Sequence, residues 1–232
     1  MEKLVYLLNS PADGGATRSV RFSEAAVHDL ADKLQRCGAY RIVVNVADLN
    51  EPVQSVAPGR IFGPTWPALD AVVEFWLDNL DQRRKIELLL GTQCEQVAGY
   101  LVTESIVQNF AREWPPKTRR PGVTQFTALA KPAAVSDEDF YHTWQVKHSA
   151  SSFDLHPRRW SYIRNAVARP LTLGAPPYRA LVLEHFRELA DFTEDSRYFG
   201  AQQAVEEMYA ELPGYCDVAS MITGPMSEYI FD

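Results

Sequence analysis

The amino-acid sequence predicts an α+β protein in which one β-α-β-β-α-β unit is written twice. The antiparallel sheets of the two copies then pack into a barrel within a single chain. Three observations predict it: a Pro-rich segment splits the 232 residues into near-equal halves, each half repeats the same order of strand-like and helix-like runs, and matched polar residues recur at similar offsets. A chain of this length lies between one average domain and two and can bury a sizeable core without disulfides or metals. Internal repetition is therefore the first property to test.

The dividing segment is Trp114-Pro115-Pro116-Lys117-Thr118-Arg119-Arg120-Pro121-Gly122. Its prolines cannot continue a helix or an inner strand, so residues 1–112 form the first repeat, 113–122 a linker and 123–232 the second repeat. The halves open with the apolar runs Leu4–Leu8 and Val123–Leu129. Helical segments follow. Val20, Ala26, Val27, Leu30 and Leu34 form a stripe at helical spacing that stops at Gly38. In the second half Ser136-Asp137-Glu138-Asp139 supplies a cap and an acidic first turn ahead of Phe140, Tyr141 and Trp144.

Second strands are predicted at 40–47 and 160–168, with Asn45 opposite Asn165, and third strands at 71–76 and 181–186, with Glu74 opposite Glu184. Acidic helix-prone stretches follow at 78–90 and 188–208, and fourth strands close the halves at 100–104 and 220–224. The offsets between the matched second, third and fourth strands are 120, 110 and 120. This order is the ferredoxin-like split βαβ. Its single helical layer leaves one sheet face bare, and two such faces in one chain bury each other.

Charge and composition narrow the function. The chain has 23 Lys+Arg against 30 Asp+Glu, a formal charge of −7, with 46% hydrophobic and 23% charged residues, as in soluble globular proteins. An acidic balance without a basic block argues against nucleic-acid and anionic-membrane partners. No apolar run of about 18 residues is present, and Met1-Glu2-Lys3-Leu4 lacks a signal-peptide pattern, so the expected location is cytoplasmic. Cys37, Cys94 and Cys216 are scattered and lack metal or redox spacing. Gly14-Gly15 is too little for a phosphate loop, and no HxH or HExxH pattern exists, so neither nucleotide nor metal is expected.

The histidines point to acid–base chemistry. Four of the five (His142, His148, His156, His185) lie in the second repeat, and histidine alone has an unperturbed pKa near neutrality. Tyr141, Trp144 and His148 share a helix face through i, i+3, i+7 spacing, which aims His148 between helix and sheet. It is either a hydrogen-bonded core histidine or the reacting base. His142 lies at the edge of that stripe. Strand alternation puts Glu184 and His185 on opposite faces, and Glu184, matched by Glu74, reads equally as a structural residue. Tyr162 can donate a hydrogen bond to a phenolate or enolate oxygen, with Arg164 on its face adding positive charge. Asn165, matched by Asn45, orients a ligand or closes a sheet edge. Many rings suit a flat aromatic ligand.

The second half resembles the EthD-like branch of the dimeric α+β barrel superfamily. The resemblance rests on Phe140, His142-Thr143-Trp144 and His148, on Tyr162 and Asn165, on Ala180-Leu181-Val182-Leu183-Glu184, and on Pro213-Gly214-Tyr215 with Asp217. The first half is a degenerate copy, with Ala26 and Leu30 in place of Trp144 and His148. The resemblance implies an enclosed pocket for cofactor-independent acid–base chemistry on aromatic or polyketide compounds; some relatives bind haem instead. It also implies that this chain builds internally the pair that single-repeat relatives build as homodimers. A further homodimer of the tandem barrel is left open.

The resulting expectation is a cofactor-free lyase acting on a small hydrophobic aromatic molecule. Retro-aldol loss of formaldehyde from a lignin-type aromatic is one example, and dehydration or cyclisation is another. His148, His185 and Tyr162 are the catalytic candidates, and Tyr141, His142, Trp144, Arg164, Asn165 and Glu184 the substrate-binding ones. The rival readings are a cofactor-free oxygenase or decarboxylase, a non-catalytic aromatic-binding protein and an inert interaction module.

Overall fold

The structure, a computed structural model, describes residues 1–9, 22–48, 53 and 69–232; Gly14-Gly15 and Val20 lie outside them. Eight strands are present among the described residues: β1 (Glu2–Asn9), β2 (Tyr40–Ala47), β3 (Leu69–Leu77), β4 (Gln96–Gln108), β5 (Val123–Leu129), β6 (Arg159–Pro170), β7 (Ala180–Phe186) and β8 (Ile222–Phe231). They close as a barrel in the order β1-β3-β2-β8-β5-β7-β6-β4, every neighbour antiparallel. Each half shows the strand order 4-1-3-2, and the halves join through β2–β8 and β4–β6. The two sheets therefore do more than face each other. Their edges hydrogen-bond, which removes the open edges that an isolated sheet would expose.

Helices cover the outside. α1 (Glu24–Arg36) packs on the first half; Ser23 caps it by accepting from the Ala26 N–H, and Gly38, at φ +96°, lets the chain turn back into β2. α2 (Arg83–Gly91) follows a 3-10 turn (Leu80–Gln82). On the second half α3 (Asp137–His142) runs through a π-helical turn (Thr143–His148) into α4 (Ser149–Leu155). Ser136 caps α3 through the Asp139 N–H at 3.0 Å. The predicted acidic stretch after β7 is three helices, α5 (Leu189–Thr193), α6 (Asp195–Tyr198) and α7 (Gln202–Tyr215).

Strand alternation splits the core into layers. Val5, Leu7, Val72, Phe126, Leu181, Leu183 and Met226 fill the barrel. Leu4, Tyr6, Val73 and Phe75 face outward under α1 and α2, and Leu129, Tyr162 and Val182 face outward under α3 and its continuation. Each such side chain, fully buried, stabilises the fold by about 1.5–3 kcal/mol.

The pairing corrects the repeat alignment. Asn45 pairs with Val72 and Asn165 with Leu181, so the third strands match at an offset of 109, one less than the sequence suggests. A one-residue slip moves every side chain to the other face of a strand. Glu74 thus faces the barrel interior, where it meets Lys3 at 2.7 Å, and its counterpart is Leu183. Glu184 faces outward, and its counterpart is Phe75. The fourth strands are also longer than predicted and match at 124, because Tyr100 pairs with Val5 as Gly224 pairs with Phe126. Glu104 and Glu228 are then counterparts, and the cross-half pairs Glu104–Asn165 and Asn45–Glu228 are the same pair seen twice.

These residues belong to a polar belt inside the barrel, with Lys3, Glu74, Thr124 and His185. The linker completes it. Arg120, 1% exposed, pairs with Glu228 at 2.7 Å and lies over the rings of Phe110, Trp160 and Trp114 at 3.8, 4.8 and 5.2 Å. Gly122, at φ +95°, follows it where a Cβ would meet the Phe186 carbonyl oxygen at 2.1 Å. Desolvating these ions is costly unless each finds its partner.

Candidate active site

A chamber of about 220 Å³ lies in the second half between the outer face of the sheet and the helical layer. Gln125, Thr127, Leu129, Tyr162, Val182, Glu184 and Thr223 form its floor. Trp144, His148, Ser152 and Leu155 form one wall, His156, Tyr198 and Phe199 another, and Met208, Tyr209, Leu212, Pro213 and Tyr215 cover it from α7 and its C-terminal turn. For scale, an apolar cavity of about 150 Å³ holds benzene, so one substituted ring or a compact bicyclic molecule matches this space.

The π-helical turn places His148. Ser149 N–H reaches back to the Trp144 carbonyl, an i→i−5 bond that widens the helix there. Trp144 and His148 both reach the chamber, whereas Tyr141 does not line it; its hydroxyl donates to the Val167 carbonyl at 3.0 Å. His142 is exposed to solvent. The shared face of Tyr141, Trp144 and His148 drawn from regular helical spacing is thus divided by the wider turn.

His148 sits among charged groups of several elements. Burial lowers its pKa below the ordinary histidine value, against the opposing fields of Glu184 and Glu211 and with those of His156 and Arg159. The imidazole is therefore neutral at pH 7 and able to accept a proton. Its Nδ1 is buried without a hydrogen-bond partner, 3.9 Å from Glu211 Oε2.

Glu184 is held by Arg159, whose guanidinium is fully buried and meets the carboxylate at 2.5 Å. Burial works to raise the Glu184 pKa, but Arg159 and the nearby His156 and His148 bring it below the usual carboxylate range. Arg159 is further held by Ser152 Oγ at 3.2 and 3.3 Å and stands 4.0 Å over the Tyr162 ring. Burial and the Glu184 charge push the Tyr162 hydroxyl up to about 12, so it stays protonated as a donor.

Arg159 and His156 carry no role in the sequence reading. Plain alternation would turn Arg159 away from Tyr162, but β6 has a register shift between Arg159 and Ser161, a bulge at Trp160, that puts both on the chamber side. His156 follows α4, where helical periodicity has ended, and its Nδ1–H donates to the Tyr198 carbonyl at 3.0 Å. The only sequence signal for it is the clustering of histidines.

His185 stands apart from this chamber. It faces the barrel interior, 1% exposed, with Nε2–H donating to the Pro121 carbonyl at 2.8 Å and Nδ1 2.7 Å from Thr124 Oγ1. Since a carbonyl only accepts, the proton sits on Nε2 and Thr124 donates to Nδ1. Burial, with the Arg120 charge, lowers its pKa well below the histidine norm. Asn165 also faces the interior, fully buried, its side-chain atoms without partners. Arg164 shares the outward face of Tyr162 but does not line the chamber; it donates to the Gln145 carbonyl at 2.9 Å. Of the nine residues selected from sequence, the chamber gathers His148, Tyr162, Trp144 and Glu184.

Among the described residues, no group of three or more His, Cys, Asp or Glu is arranged to hold a metal ion, and no helix is long and apolar enough to cross a membrane. No known family profile matches the chain, and no curated protein sequence matches it. Solved structures do. An anthrone oxidase-like protein superposes with a TM-score of 0.62 at 8% identity, covering 99% of this chain and 92% of its own. A monooxygenase-like protein of Fusobacterium nucleatum gives 0.56 at 8% identity over 100% and 92%. A dye-decolorizing peroxidase of Bacteroides thetaiotaomicron gives 0.51 at 9% over 98% and 93%. With so little sequence in common the likeness is one of fold alone: the chain is an eight-stranded α+β barrel built from two ferredoxin-like units.

Proposed function

We propose that the chain is a cofactor-independent, EthD-like enzyme that performs acid–base chemistry on a small aromatic molecule held in the second-repeat chamber. The observation that supports this most is the juxtaposition of a neutral His148, a protonated Tyr162 and an anionic Glu184 around a largely apolar space. His148 is the base. Glu184, fixed by Arg159, stabilises the imidazolium that forms, and Tyr162 donates to oxygen charge that develops on the substrate.

A lyase reaction uses all three groups. On an aromatic bearing a hydroxymethyl side chain, His148 removes the hydroxyl proton and the alkoxide collapses to formaldehyde. In the cyclohexadienone tautomer the hydroxymethyl group sits on the sp3 carbon beside the ring carbonyl. The electrons of the broken C–C bond therefore pass through that carbon to the ring oxygen, which becomes a phenolate and accepts the Tyr162 hydrogen bond. The imidazolium then returns the proton to that oxygen. No oxidant or reductant is needed.

The test is incubation of the purified chain with hydroxymethyl-bearing phenols, measuring formaldehyde release and oxygen uptake. Turnover that falls about 10²–10⁴-fold in His148→Gln is expected. Tight binding with no turnover of any such compound would sink the enzyme reading in favour of a binding protein. Oxygen uptake would instead support a cofactor-free oxygenase, a second reading suggested by the likeness to the anthrone oxidase-like fold.

A further inference from the structure

α7 is loosely attached. Of its fourteen residues only Tyr215, at its end, is buried, and Pro213 interrupts its last turn. Yet this helix contributes Met208, Tyr209, Leu212 and Tyr215 to the cover of the chamber. It also carries Glu211, a carboxylate 33% exposed for which no hydrogen bond is found among the described residues, although Gln202–Glu206 and Gln203–Glu207 are paired at i, i+4 on the same helix.

Glu211 Oε2 lies 3.9 Å from His148 Nδ1, too far for a hydrogen bond and too close for indifference. That Nδ1 is buried and has no other partner, and a buried polar atom left unpaired calls for an explanation. A shift of α7 toward the π-helical turn by about 1 Å would convert the contact into an Nδ1–H···Oε2 hydrogen bond of ordinary length. The ring would then carry its proton on Nδ1 and leave Nε2 unprotonated and basic.

We infer that Glu211 is a positioning residue for His148: carried on the loosely held cover of the chamber, it sets the imidazole tautomer through the short movement of α7 that brings the two groups into contact. This rests on His148 being the base proposed above. Glu184 on β7 lies on the floor and is committed to Arg159 at 2.5 Å, so it supplies field without orienting the ring. Arg159 and Tyr162 on β6, His156 after α4, Tyr198 on α6 and Tyr209 and Tyr215 on α7 are the other titratable or charged groups that act on His148 or line the chamber with it. None of the hydrogen bonds they make ends on Nδ1.

The experiment is histidine-selective ¹⁵N and ¹³C NMR of the full chain across pH, which needs no substrate. His148 is assigned by its loss in His148→Gln. His185, whose Nε2–H tautomer is fixed by the Pro121 carbonyl, serves as the internal reference for an intact fold. In the wild type His148 is expected in the Nδ1–H form. In Glu211→Gln its pKa falls by about half a unit to one unit and the tautomer becomes mixed, Glu211→Asp lies between, and His185 does not move. Glu207→Gln, one turn away and paired with Gln203, leaves His148 unchanged. Identical His148 titration and tautomer in wild type and Glu211→Gln would overturn the assignment, as would an equal shift in Glu207→Gln. Neither result touches the aromatic-chamber reading, which fails only if phenols do not bind.

Discussion

The two repeats present the same wall of the barrel to their helices and do opposite things with it. In the first, Leu4, Tyr6, Ile42, Val73 and Phe75 make that face a packed core, each of them fully buried. In the second, their counterparts by strand register are Gln125, Thr127, Tyr162, Val182 and Glu184, which form the floor of the chamber. Leu4, Ile42 and Phe75, three apolar residues, are replaced by Gln125, Tyr162 and Glu184, which carry polar groups. A packed repeat supplies stability, and its partner spends part of it on a cavity and an ionised floor, as sites generally do. The belt of ions inside the barrel ties the two together.

Transplanting one position breaks the comparison most sharply. Phe75→Glu copies the Glu184 carboxylate into a face that has no Arg159, leaving a buried charge unpaired. Urea denaturation should show a loss of about 5 kcal/mol or outright unfolding. A mild effect would mean that the first repeat can open as the second does. Next in size, His148→Gln should raise the reaction barrier by about 3–5 kcal/mol while leaving the urea midpoint nearly unchanged. Leu30→Ala on α1 should do the reverse, costing about 2–5 kcal/mol of stability without altering turnover per folded molecule.

Smaller effects sharpen the contrast. Glu184→Gln leaves the buried Arg159 guanidinium without its counter-charge, and with 13% of the Glu184 side chain accessible the expected cost is about 2 kcal/mol. Smallest is the pH response. Burial first, and the Arg120 charge second, depress the His185 pKa; burial depresses that of His148. Both histidines stay neutral in the folded chain where the unfolded chain takes up protons. Their contribution is therefore present in full above the unfolded value of about 6.5 and is lost as pH falls toward the folded values, at up to about 1.4 kcal/mol per pH unit for each group. Denaturation between pH 7 and 5 should steepen accordingly, and His185→Gln should flatten the slope more than His148→Gln. Equal slopes would contradict the deeper placement of His185.

Much of the fold is legible because it is local or repeated. The strand order, the Ser136 cap, the stop at Gly38 and the opposite faces of Glu184 and His185 follow from period, capping chemistry and alternation. The site is less legible because small irregularities decide it. The bulge at Trp160 turns Arg159 toward Tyr162, and the π-helical turn separates His148 from Tyr141. The one-residue slip of the third strands makes Glu184 the counterpart of a phenylalanine rather than of Glu74. Each changes the residue count within an element by one or less than one turn, below what a periodic pattern registers.

What the sequence determined alone is the repeated unit and its bare sheet faces, since hydrophobic periodicity and turn chemistry act over a few neighbouring residues. What tertiary structure decided is which polar residues meet. Lys3 and Glu74, Arg120 and Glu228, Arg159 and Glu184 come from distant parts of the chain, and buried charges are tolerated only where the closed barrel brings a partner within reach. The same closure put His185 inside the barrel and left His148 facing the chamber.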